Sequence, residues 1–478
     1  MNLMEGALSD ALSGWGFRLL PGSLREIPGR GWVFAARGPR EKAVGWVGEP
    51  DFLPLTSPLL PEPIRAGNYS ANLYPWTWGN YLALRSVLSL APQRCDRPAS
   101  FGTGDRLGWV SRAQIEALRL YPVFPILAQQ SPRELERTKR DFQDVLLQAA
   151  WGVLASGYAG AFGADADHIK TAEQLREAVE AGYTMFTLDL SEHLRQPAPR
   201  EPSPLARAIV EAHAGHRLSV ADGQGYILEE GRLWKAAQRY EPALEAAIAL
   251  VGQLRAWRQE FDLEISVDEA EEETTPEDHV FVVEYLRRRG VDLWSLAPRF
   301  PGRFEKGVDY IGEVEAFARA LRLHVAISRA LDGYRISLHS GSDKFRIYRV
   351  FAEITGGRFH IKTSGTSWLQ TLRVIARVDP GLFAELYRTS LDHLEESRKA
   401  YPISLRREDL PLELPSNPEQ LLEHPAARQL LHISYGVLLD AYREALQGAL
   451  EAHWEELETA VREHIRRHLD ALFVREVR

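Results

Sequence analysis

Strand-like and helix-like segments alternate along the chain from about residue 99, and this alternation limits the available folds more than any other feature. The candidate strands are residues 99–104, 122–128, 158–164, 184–189, 262–267, 291–296, 334–339 and 357–362. Each is a short apolar run that ends in glycine or polar residues, as buried parallel strands do. Eight such units predict a (β/α)8 barrel, with an open doubly wound sheet as the alternative.

Helix-like segments separate the strands, and several begin with residues that favour a first helical turn. The clearest span residues 132–154, 171–181, 235–259, 276–289 and 312–331. Ser131, Thr171 and Thr275 stand before three of them, each followed within three positions by a carboxylate. Gly102-Thr-Gly104 lacks the third glycine and the acidic partner of a dinucleotide fingerprint, which disfavours a dinucleotide-binding sheet.

The chain divides into three predicted regions. Residues 1–98 are rich in proline, glycine and tryptophan and are expected to form an irregular accessory region. Residues 99–380 form the barrel, with an insertion at about 195–234 that carries a short helix at 204–213. Residues 381–478 read as a charged helical extension that serves as a cap or an oligomer surface.

Composition excludes several classes of protein. The net charge of −9 and pI of about 5.9 give no reason to expect nucleic acid or an acidic membrane as a partner. No apolar run approaches the ~18 residues of a membrane span, and the first residues do not resemble a secretion signal. The single cysteine, Cys95, fits a reducing compartment. We therefore expect a cytoplasmic enzyme.

Ionisable residues follow nearly every candidate strand, where a barrel carries its chemistry. In strand order they are Asp105-Arg106, Gln129-Gln130, Asp165 to Lys170, Asp189, Asp268-Glu269, Arg299 with Lys306 and Asp309, His339 with Asp343-Lys344, and His360 with Lys362. Unpaired charge near a core is costly, and ionisable groups cluster at functional sites. This density favours an active site over a solvated rim.

Three histidines at these strand ends indicate a divalent metal. His168, His339 and His360 lie near carboxylates, a combination that suits Zn²⁺, Mn²⁺, Ni²⁺ or Co²⁺. Any one of them alone would more simply be a hydrogen-bonded structural residue. Asp167 either supports the neighbouring ligand or faces the substrate as a base. Successive strand residues point to opposite faces, so at most one of Asp167 and His168 faces inward while the strand lasts.

Lysine is rare in this chain, and its positions are therefore informative. Only eight of the 57 basic residues are lysine, and four of them, Lys170, Lys306, Lys344 and Lys362, lie beside the polar blocks. A GC-rich genome explains the general preference for arginine. An ammonium differs from a guanidinium in reach, hydration and pKa, so these positions are expected to require lysine.

Taken together, these blocks resemble the tagaturonate epimerase family, bacterial enzymes of hexuronate breakdown. The resemblance runs from about Asn68 to Asp379. Its motifs are Ser131-Pro-Arg-Glu-Leu-Glu-Arg-Thr, Gly163-Ala-Asp-Ala-Asp-His-Ile-Lys, Ser266-Val-Asp-Glu, Ser295-Leu-Ala-Pro-Arg-Phe, Phe304-Glu-Lys-Gly-Val-Asp-Tyr-Ile-Gly, His339-Ser-Gly-Ser-Asp-Lys-Phe and Gly356-Gly-Arg-Phe-His-Ile-Lys-Thr-Ser-Gly-Thr-Ser-Trp. The resemblance implies a divalent-metal barrel isomerase that interconverts tagaturonate and fructuronate, with tagatose and fructose as alternative substrates. Ser364 replaces an alanine that is frequent in the family, which leaves fine substrate preference open.

The resemblance also implies roles for two carboxylates, Asp167 as proton acceptor and Glu269 as proton donor. The inverted carbon is β to the ketone, so enolisation would invert the wrong centre. One route is retro-aldol cleavage, rotation of the aldehyde and re-addition, with both carboxylates handling the hydroxyl proton. A second route is transient hydride movement, which needs a nicotinamide for which no fingerprint is present.

The metal ligands that the resemblance implies are His168, Asp309 and His339, with His360 as an alternative to Asp309. The predicted substrate contacts are Gln129, Lys170, Asp268, Arg299, Asp343, Lys344, His360 and Lys362. Among these, Arg299, Lys344 and Lys362 are expected to hold the substrate carboxylate or polarise its oxygens. A lysine Schiff base is a lesser alternative.

Other functions remain open for the same barrel. They are a metal-dependent sugar aldolase that releases its fragments, a ketose isomerase, and a non-enzymatic sugar-binding barrel, for which acid–base pairs would be superfluous. The expected partner is a small keto-sugar acid or ketohexose, and neither nucleic acid nor a membrane is expected. A homo-oligomer is left open.

Overall fold

The computed structural model of the protein describes residues 2–39, 41–49, 51–195, 201–220, 223, 225–399, 401 and 403–473. The strands are β1 (Arg18–Leu19), β2 (Arg25–Ile27), β3 (Gly31–Arg37), β4 (Lys42–Gly48), β5 (Ile64–Ala66), β6 (Tyr69–Pro75), β7 (Ser100–Thr103), β8 (Phe124–Gln130), β9 (Gly163–Ile169), β10 (Met185–Asp189), β11 (Arg217–Ser219), β12 (Gly225–Ile227), β13 (Asp262–Ser266), β14 (Ser295–Ala297), β15 (Arg335–Leu338) and β16 (Phe359–Thr363).

The helices are α1 (Asn2–Ser13), α2 (Trp78–Leu84), α3 (Ser111–Leu118), α4 (Pro132–Thr138), α5 (Phe142–Ala155), α6 (Ala172–Ala181), α7 (Ser191–Arg195), α8 (Pro204–His213), α9 (Glu230–Trp257), α10 (Pro276–Arg288), α11 (Val314–Ala330), α12 (Phe345–Thr355), α13 (Thr366–Val378), α14 (Pro380–Asp392), α15 (Leu394–Lys399), α16 (Pro425–Ile433), α17 (Tyr435–Ala452) and α18 (Trp454–Leu472). Short 3-10 turns lie at Arg407–Asp409 and Pro418–Leu422. Among the described helices none is both long and apolar enough to cross a membrane.

Eight parallel strands close into a barrel, in the order β7, β8, β9, β10, β13, β14, β15 and β16, with β16 paired to β7. All eight predicted strands are present, which confirms the (β/α)8 barrel and excludes the open sheet. Four strands differ from the prediction by two or more residues at an end, and two of them begin late, β14 at Ser295 and β16 at Phe359. β8 extends to Gln130, and β9 begins at Gly163 and runs to Ile169, so the polar residues expected after these strands lie inside them.

The strands extend further because the interior of the barrel accepts charged side chains. Asp165 and Asp167 on β9, Glu264 on β13, and His360 and Lys362 on β16 are all buried. Mostly apolar residues alternate with them and face the surrounding helices. Barrel interiors are usually filled by branched apolar side chains. The charges here must therefore be balanced by one another or by a bound ion.

Helix caps follow the sequence prediction. The side chains of Ser131, Thr171 and Thr275 each accept the backbone N–H three residues ahead, so α4, α6 and α10 begin where expected. The helix predicted over 132–154 is two helices, α4 and α5. Lys139 adopts a left-handed conformation that ends α4, and Asp141 caps α5.

The N-terminal region differs from its predicted irregularity. β1 to β6 form a six-stranded sheet whose paired strands are all antiparallel. Just past β6, the ring of Trp76 lies 5.5 Å from that of Trp151 on α5, which joins this sheet to the barrel. In the insertion, α8 is the predicted helix, and β11 and β12 form a hairpin. Residues 196–200, 221, 222 and 224 of the predicted insertion lie outside the described residues.

The C-terminal extension is helical, as predicted, and α18 packs against α3, α12 and α13. The ring of Phe473 lies 6.0 Å from that of Phe359 on β16, and His468 contacts Phe101 on β7. α18 therefore covers the barrel between the first and seventh helices of the ring. It therefore belongs to the layer of helices around the barrel, whereas the sequence predicted a cap or an oligomer surface.

A buried histidine pair makes stability depend on pH. The Tyr334 hydroxyl donates to His279 Nε2 over 2.5 Å, and His279 Nδ1 lies 2.9 Å from His324 Nδ1. Burial lowers the pKa of His324 to about 4 and that of His279 well below its ordinary value. The unfolded chain binds a proton at each histidine below about pH 6.5, whereas the folded chain does not.

Stability is therefore expected to fall as pH drops from about 6.5 towards 4, with about 3 kcal/mol lost through His324 alone. Urea unfolding at pH 7 and pH 4.5 measures the loss. His324→Phe is expected to reduce the difference in the free energy of unfolding between pH 7 and pH 4.5, because phenylalanine binds no proton. An equal loss in both proteins would show that this histidine does not contribute.

Candidate active site

Lys362 lies at the centre of the charged cluster inside the barrel. Its ammonium contacts Asp165 Oδ2 at 2.7 Å, Asp167 Oδ1 at 2.7 Å and Glu264 Oε1 at 2.9 Å, and it donates to Thr187 Oγ1 at 2.6 Å. Burial opposes the charge, but the three carboxylates raise the pKa of Lys362 well above its ordinary value. The amine stays protonated, which argues against a Schiff base at this residue.

His339, just past β15, links this cluster to the cleft above it. Its Nε2 lies 2.6 Å from Glu264 Oε1, and its Nδ1 lies 3.2 Å from Asp268 Oδ1. The Ser266 hydroxyl also donates to Asp268. Burial disfavours the imidazolium, but Asp268 and Glu264 raise the pKa of His339 to about 9. The imidazole is thus held between two carboxylates by both nitrogens.

A β-bulge brings Asp167 and His168 to the same side of β9. The pairing with β10 shifts register opposite Thr187, and His168 adopts a left-handed φ of 53°. A bulge sets two residues against one and re-aims a side chain. The rule that only one of two adjacent residues faces inward therefore fails here, and the His168 ring lies 5.0 Å from that of His339.

His168 sits among carboxylates but lacks a hydrogen bond to them. Its Nδ1 lies 3.5 Å from Asp189 Oδ2, and neither atom has a hydrogen-bond partner in the described part of the chain. Burial opposes protonation, but Asp167 and Asp189 raise the pKa of His168 to about 10. A buried imidazole and carboxylate that face each other without a hydrogen bond are typical ligands of an ion.

The donor atoms at this point fit a divalent metal. One ligand atom each from Asp167, His168 and His339 lies within 4.8 Å of the others. Five carboxylates meet here: Asp165, Asp167, Asp189, Glu264 and Asp268. The ammonium groups among them are Lys362 and, 3.5 Å from Asp189, Lys170. Imidazole nitrogens and carboxylate oxygens suit Zn²⁺, Mn²⁺, Ni²⁺ or Co²⁺, and a dication would take the place of the two protons that the carboxylates otherwise draw to His168 and His339.

A cleft of about 1020 Å³ opens above the cluster and contains five predicted site residues. They are Lys170, Asp268, Glu269, Arg299 and His339. Glu269 is paired with Arg133 at 2.8 Å, and Arg299 donates to the Asp268 carbonyl at 3.2 Å. The cleft has the size of a small-molecule site.

His360 and Gln129 lie deeper in the barrel. His360 Nδ1 is 2.8 Å from the Ser100 hydroxyl, and burial lowers the pKa of His360 to about 3, so the ring is neutral. The Gln129 amide fills the space that a Cβ on Gly102 would need, which explains a glycine in β7. Both residues form the floor beneath Lys362, and His360 is absent from the described metal group.

The structure places Asp309 and Lys344 outside this cluster. Asp309 accepts the backbone N–H of Tyr310 at 2.6 Å and does not belong to the metal group with His168. Lys344 donates to the carbonyls of Glu305, Val308 and Ser342 over 2.6–3.0 Å, which uses all three of its N–H bonds. Asp309, predicted as a metal ligand, and Lys344, predicted as a substrate contact, instead stabilise the loop after β14.

Asp343 joins the barrel to the C-terminal helices instead of facing the cleft. Its Oδ2 accepts from Arg428 at 3.0 Å, its Oδ1 lies 2.8 Å from His464 Nε2, and its N–H donates to His468 Nε2. We call Asp343, His464 and His468 the C-terminal clamp. Its ligand-type atoms also lie within 4.8 Å of one another. Arg428 and the donated N–H already satisfy two of these groups without an ion.

Three site residues do not stand out as strand-end residues in the sequence. Glu264 and Thr187 lie within strands, where the signal is a polar residue alternating with apolar ones that face outwards. Arg133 lies in the first turn of α4 and reaches Glu269 across the cleft. Nothing in the sequence near Arg133 indicates that contact.

Comparisons with known proteins agree with one another. A family model described as tagaturonate epimerase matches residues 23–472. The tagaturonate/fructuronate epimerase of Thermotoga maritima is 45% identical over 405 residues, which are 80% of this chain and 82% of that protein. Two crystal structures of the fructuronate-tagaturonate epimerase of Cohnella laeviribosi, native and with one glycerol, superpose with TM-scores of 0.88 and 0.86. They are 31% and 32% identical and cover 98% of this chain and 99% of theirs.

Proposed function

Because this chain belongs to the tagaturonate epimerase family, we propose that it interconverts tagaturonate and fructuronate with the help of a divalent metal ion. Asp167, His168 and His339 would hold the ion. The observation that carries the proposal is the excess of carboxylates over ammonium groups around two imidazoles at the barrel mouth. Such an excess is costly unless a cation balances it.

Asp167 is the proton acceptor in this proposal. Burial opposes its ionisation, but His168 and Lys362 lower the pKa of Asp167 to about 2, so it is a carboxylate at neutral pH. Its carboxylate would help to hold the ion and would accept the proton of the hydroxyl on the carbon to be inverted. When bound, the ion supplies Lewis-acid polarisation of the ketone.

Loss of that hydroxyl proton lets the adjacent C–C bond break, which leaves an aldehyde and an enediolate. The aldehyde rotates and the same bond re-forms on its opposite face. Glu269, protonated from solvent in the open cleft, gives its proton to the new alkoxide, and Asp167 releases its own proton to solvent, so that no net proton is gained or lost. Glu269 lies in the cleft with His339 and is positioned by Arg133 at 2.8 Å. Lys362 holds Asp167 in place throughout, because its ammonium contacts the Oδ1 atom at 2.7 Å.

Incubation of the purified protein with tagaturonate tests this function. Fructuronate is expected to form without free three-carbon fragments, and a chelator is expected to stop its formation. Release of those fragments would identify an aldolase. Substrate deuterated at the inverted carbon is expected to keep its label without a primary isotope effect, because that C–H bond stays intact. A primary effect would indicate hydride movement. Parallel assays with tagatose and fructose measure how strongly the enzyme prefers the sugar acid over the neutral ketohexose.

Several expectations accompany this function as predictions. We place catalysis on the barrel of residues 99–380, with residues 1–98 and 381–478 as supports. A cytoplasmic location and a homo-oligomer stay predictions, which cell fractionation and native mass measurements would test. The partner class is a small sugar acid, in line with the activity of the Thermotoga maritima relative.

A further inference from the structure

The proposed substrate carries a carboxylate, and two of the three cations expected to bind it are already occupied. Lys362 contacts three carboxylates, and Lys344 is saturated by backbone carbonyls. Arg299 donates to the Asp268 carbonyl. A buried carboxylate needs a cation or several N–H and O–H donors. Arg299 lines the cleft and keeps N–H groups for such a ligand, and further donors at the barrel mouth would complete the set.

Lys306 is a cation without a counter-charge among the described residues. Its ammonium donates to the Ser340 hydroxyl at 3.0 Å, and no described carboxylate forms an ion pair with it. Burial lowers the pKa of Lys306; Glu134 and Glu269 oppose the shift from a distance, and Arg133 and Arg106 add to it. Those two arginines are paired with Glu269 and Glu134, respectively. The cluster therefore holds one more cation than it holds carboxylates.

Unpartnered donors converge beside it at the start of α13. His432 is 1% exposed, and neither ring nitrogen has a hydrogen-bond partner in the part of the chain that is described. A Cβ placed on Gly365 would lie 2.0 Å from His432 Nε2 and 3.1 Å from Arg106 Nη2. Thr366 begins α13, and its buried Oγ1 also lacks a described partner. No side chain caps this helix N-terminus.

These donors lie where (β/α)8 barrels commonly bind anions, between the loops after the seventh and eighth strands. Ser340 directly follows His339, and Gly365 lies three residues past Lys362, so the same two strands carry both the cluster and these donors. The free N–H groups of a helix N-terminus favour negative charge. A Cβ at residue 365 would collide with His432 Nε2, so the glycine is what lets the imidazole approach the N-terminus of the helix.

We propose that the carboxylate of the sugar acid binds here, on Lys306, Ser340, Thr366 and His432, which we call the carboxylate subsite. The inference rests on the proposed function for its substrate. His432 comes from α16, so the C-terminal extension supplies part of the substrate site. A neutral ketohexose would leave Lys306 without a counter-charge. The subsite thereby gives the enzyme its preference for the acid over the uncharged sugar.

Binding of a six-carbon aldonate and of the matching alditol separates this role from a structural one. Titration calorimetry on the metal-loaded protein is expected to show that Lys306→Met weakens the aldonate by about 10- to 100-fold. The affinity for the alditol is expected to fall far less, because the alditol carries no charge for Lys306 to bind. Thr366→Val, which keeps the shape of threonine, is expected to lower the ratio of the aldonate affinity to the alditol affinity by a smaller factor.

Lys235→Met on the exposed face of α9 is the matched control and should leave both affinities unchanged. Equal weakening of both ligands by Lys306→Met would overturn the subsite, and so would an unchanged aldonate affinity in a folded variant. These outcomes do not depend on turnover. A protein that binds the aldonate through Lys306 but forms no fructuronate would contradict the proposed function and leave the subsite standing.

Discussion

Replacing Lys362 with methionine is expected to lower the free energy of unfolding by about 3–5 kcal/mol and to abolish turnover. One ammonium contacts Asp165, Asp167 and Glu264 within 2.9 Å. Methionine would fill the space but leave three buried carboxylates with no cation among them. Asp167 would also lose the contact that positions it as the proton acceptor. Urea unfolding and the rate of fructuronate formation measure the two effects.

A second substitution tests the electrostatic cause. Adding Asp165→Asn to Lys362→Met removes one of the uncompensated charges, so part of the stability is expected to return. The deficit is also expected to shrink as pH falls, because carboxylates raised in pKa by the loss of their cation take up protons on folding. Lys235→Met on the surface should match the wild type. A Lys362→Met protein of unchanged stability would show that the cluster does not depend on its cation.

The barrel could be predicted from the sequence because each strand is a local pattern. An apolar run, a glycine or polar break and a helix-like segment recur eight times, and no long-range information is needed. The N-terminal sheet could not be predicted in the same way. Its strands are interrupted by glycine and proline, and its order places β4 beside β6 and β1 beside β3, which depends on pairing between distant residues.

The site residues also divide into those that a local pattern predicts and those that depend on contacts between distant parts of the chain. Asp167, His168, His339 and Lys362 lie on or directly after a strand, so barrel geometry brings them to one end of the barrel, and the β-bulge in β9 turns His168 to the side that Asp167 faces. Beyond that point the direction of the chain is set by tertiary contacts. Three residues after Ser340, which has a left-handed φ, Asp343 meets the C-terminal helices, and Lys344 fastens the loop after β14.

His432 shows the limit most clearly. It lies 72 residues after His360 in the chain and reaches the barrel mouth only because α16 packs there. No periodicity or motif near residue 432 indicates a position beside Gly365. The lysine bias was a better signal, because Lys306 was one of four lysines beside the polar blocks, and the structure gives it no counter-charge among the described residues.

Loss of the metal is expected to have the largest effect on activity. His168→Ala and His339→Ala should each lower metal affinity and turnover by more than about a hundredfold, because even residues that only support a ligand change these by 10–100-fold. Elemental analysis of the purified variants gives the bound metal per chain. Turnover measured after chelation and after re-addition of Zn²⁺, Mn²⁺, Ni²⁺ or Co²⁺ gives the dependence on each ion.

The C-terminal clamp provides the matched control. His464→Ala removes an imidazole that also lies 2.8 Å from a carboxylate, in the second group of possible ligands. Arg428 satisfies Asp343 Oδ2 and the N–H of Asp343 satisfies His468 Nε2, while Asp343 Oδ1 and His464 Nε2 form an ion pair with each other. His464→Ala is therefore expected to keep the metal while loosening α18. If His464→Ala lost the ion and His339→Ala kept it, the metal would belong to the clamp. The charge of the carboxylates around Lys362 would then be balanced by protonation of His168 and His339, which those carboxylates favour.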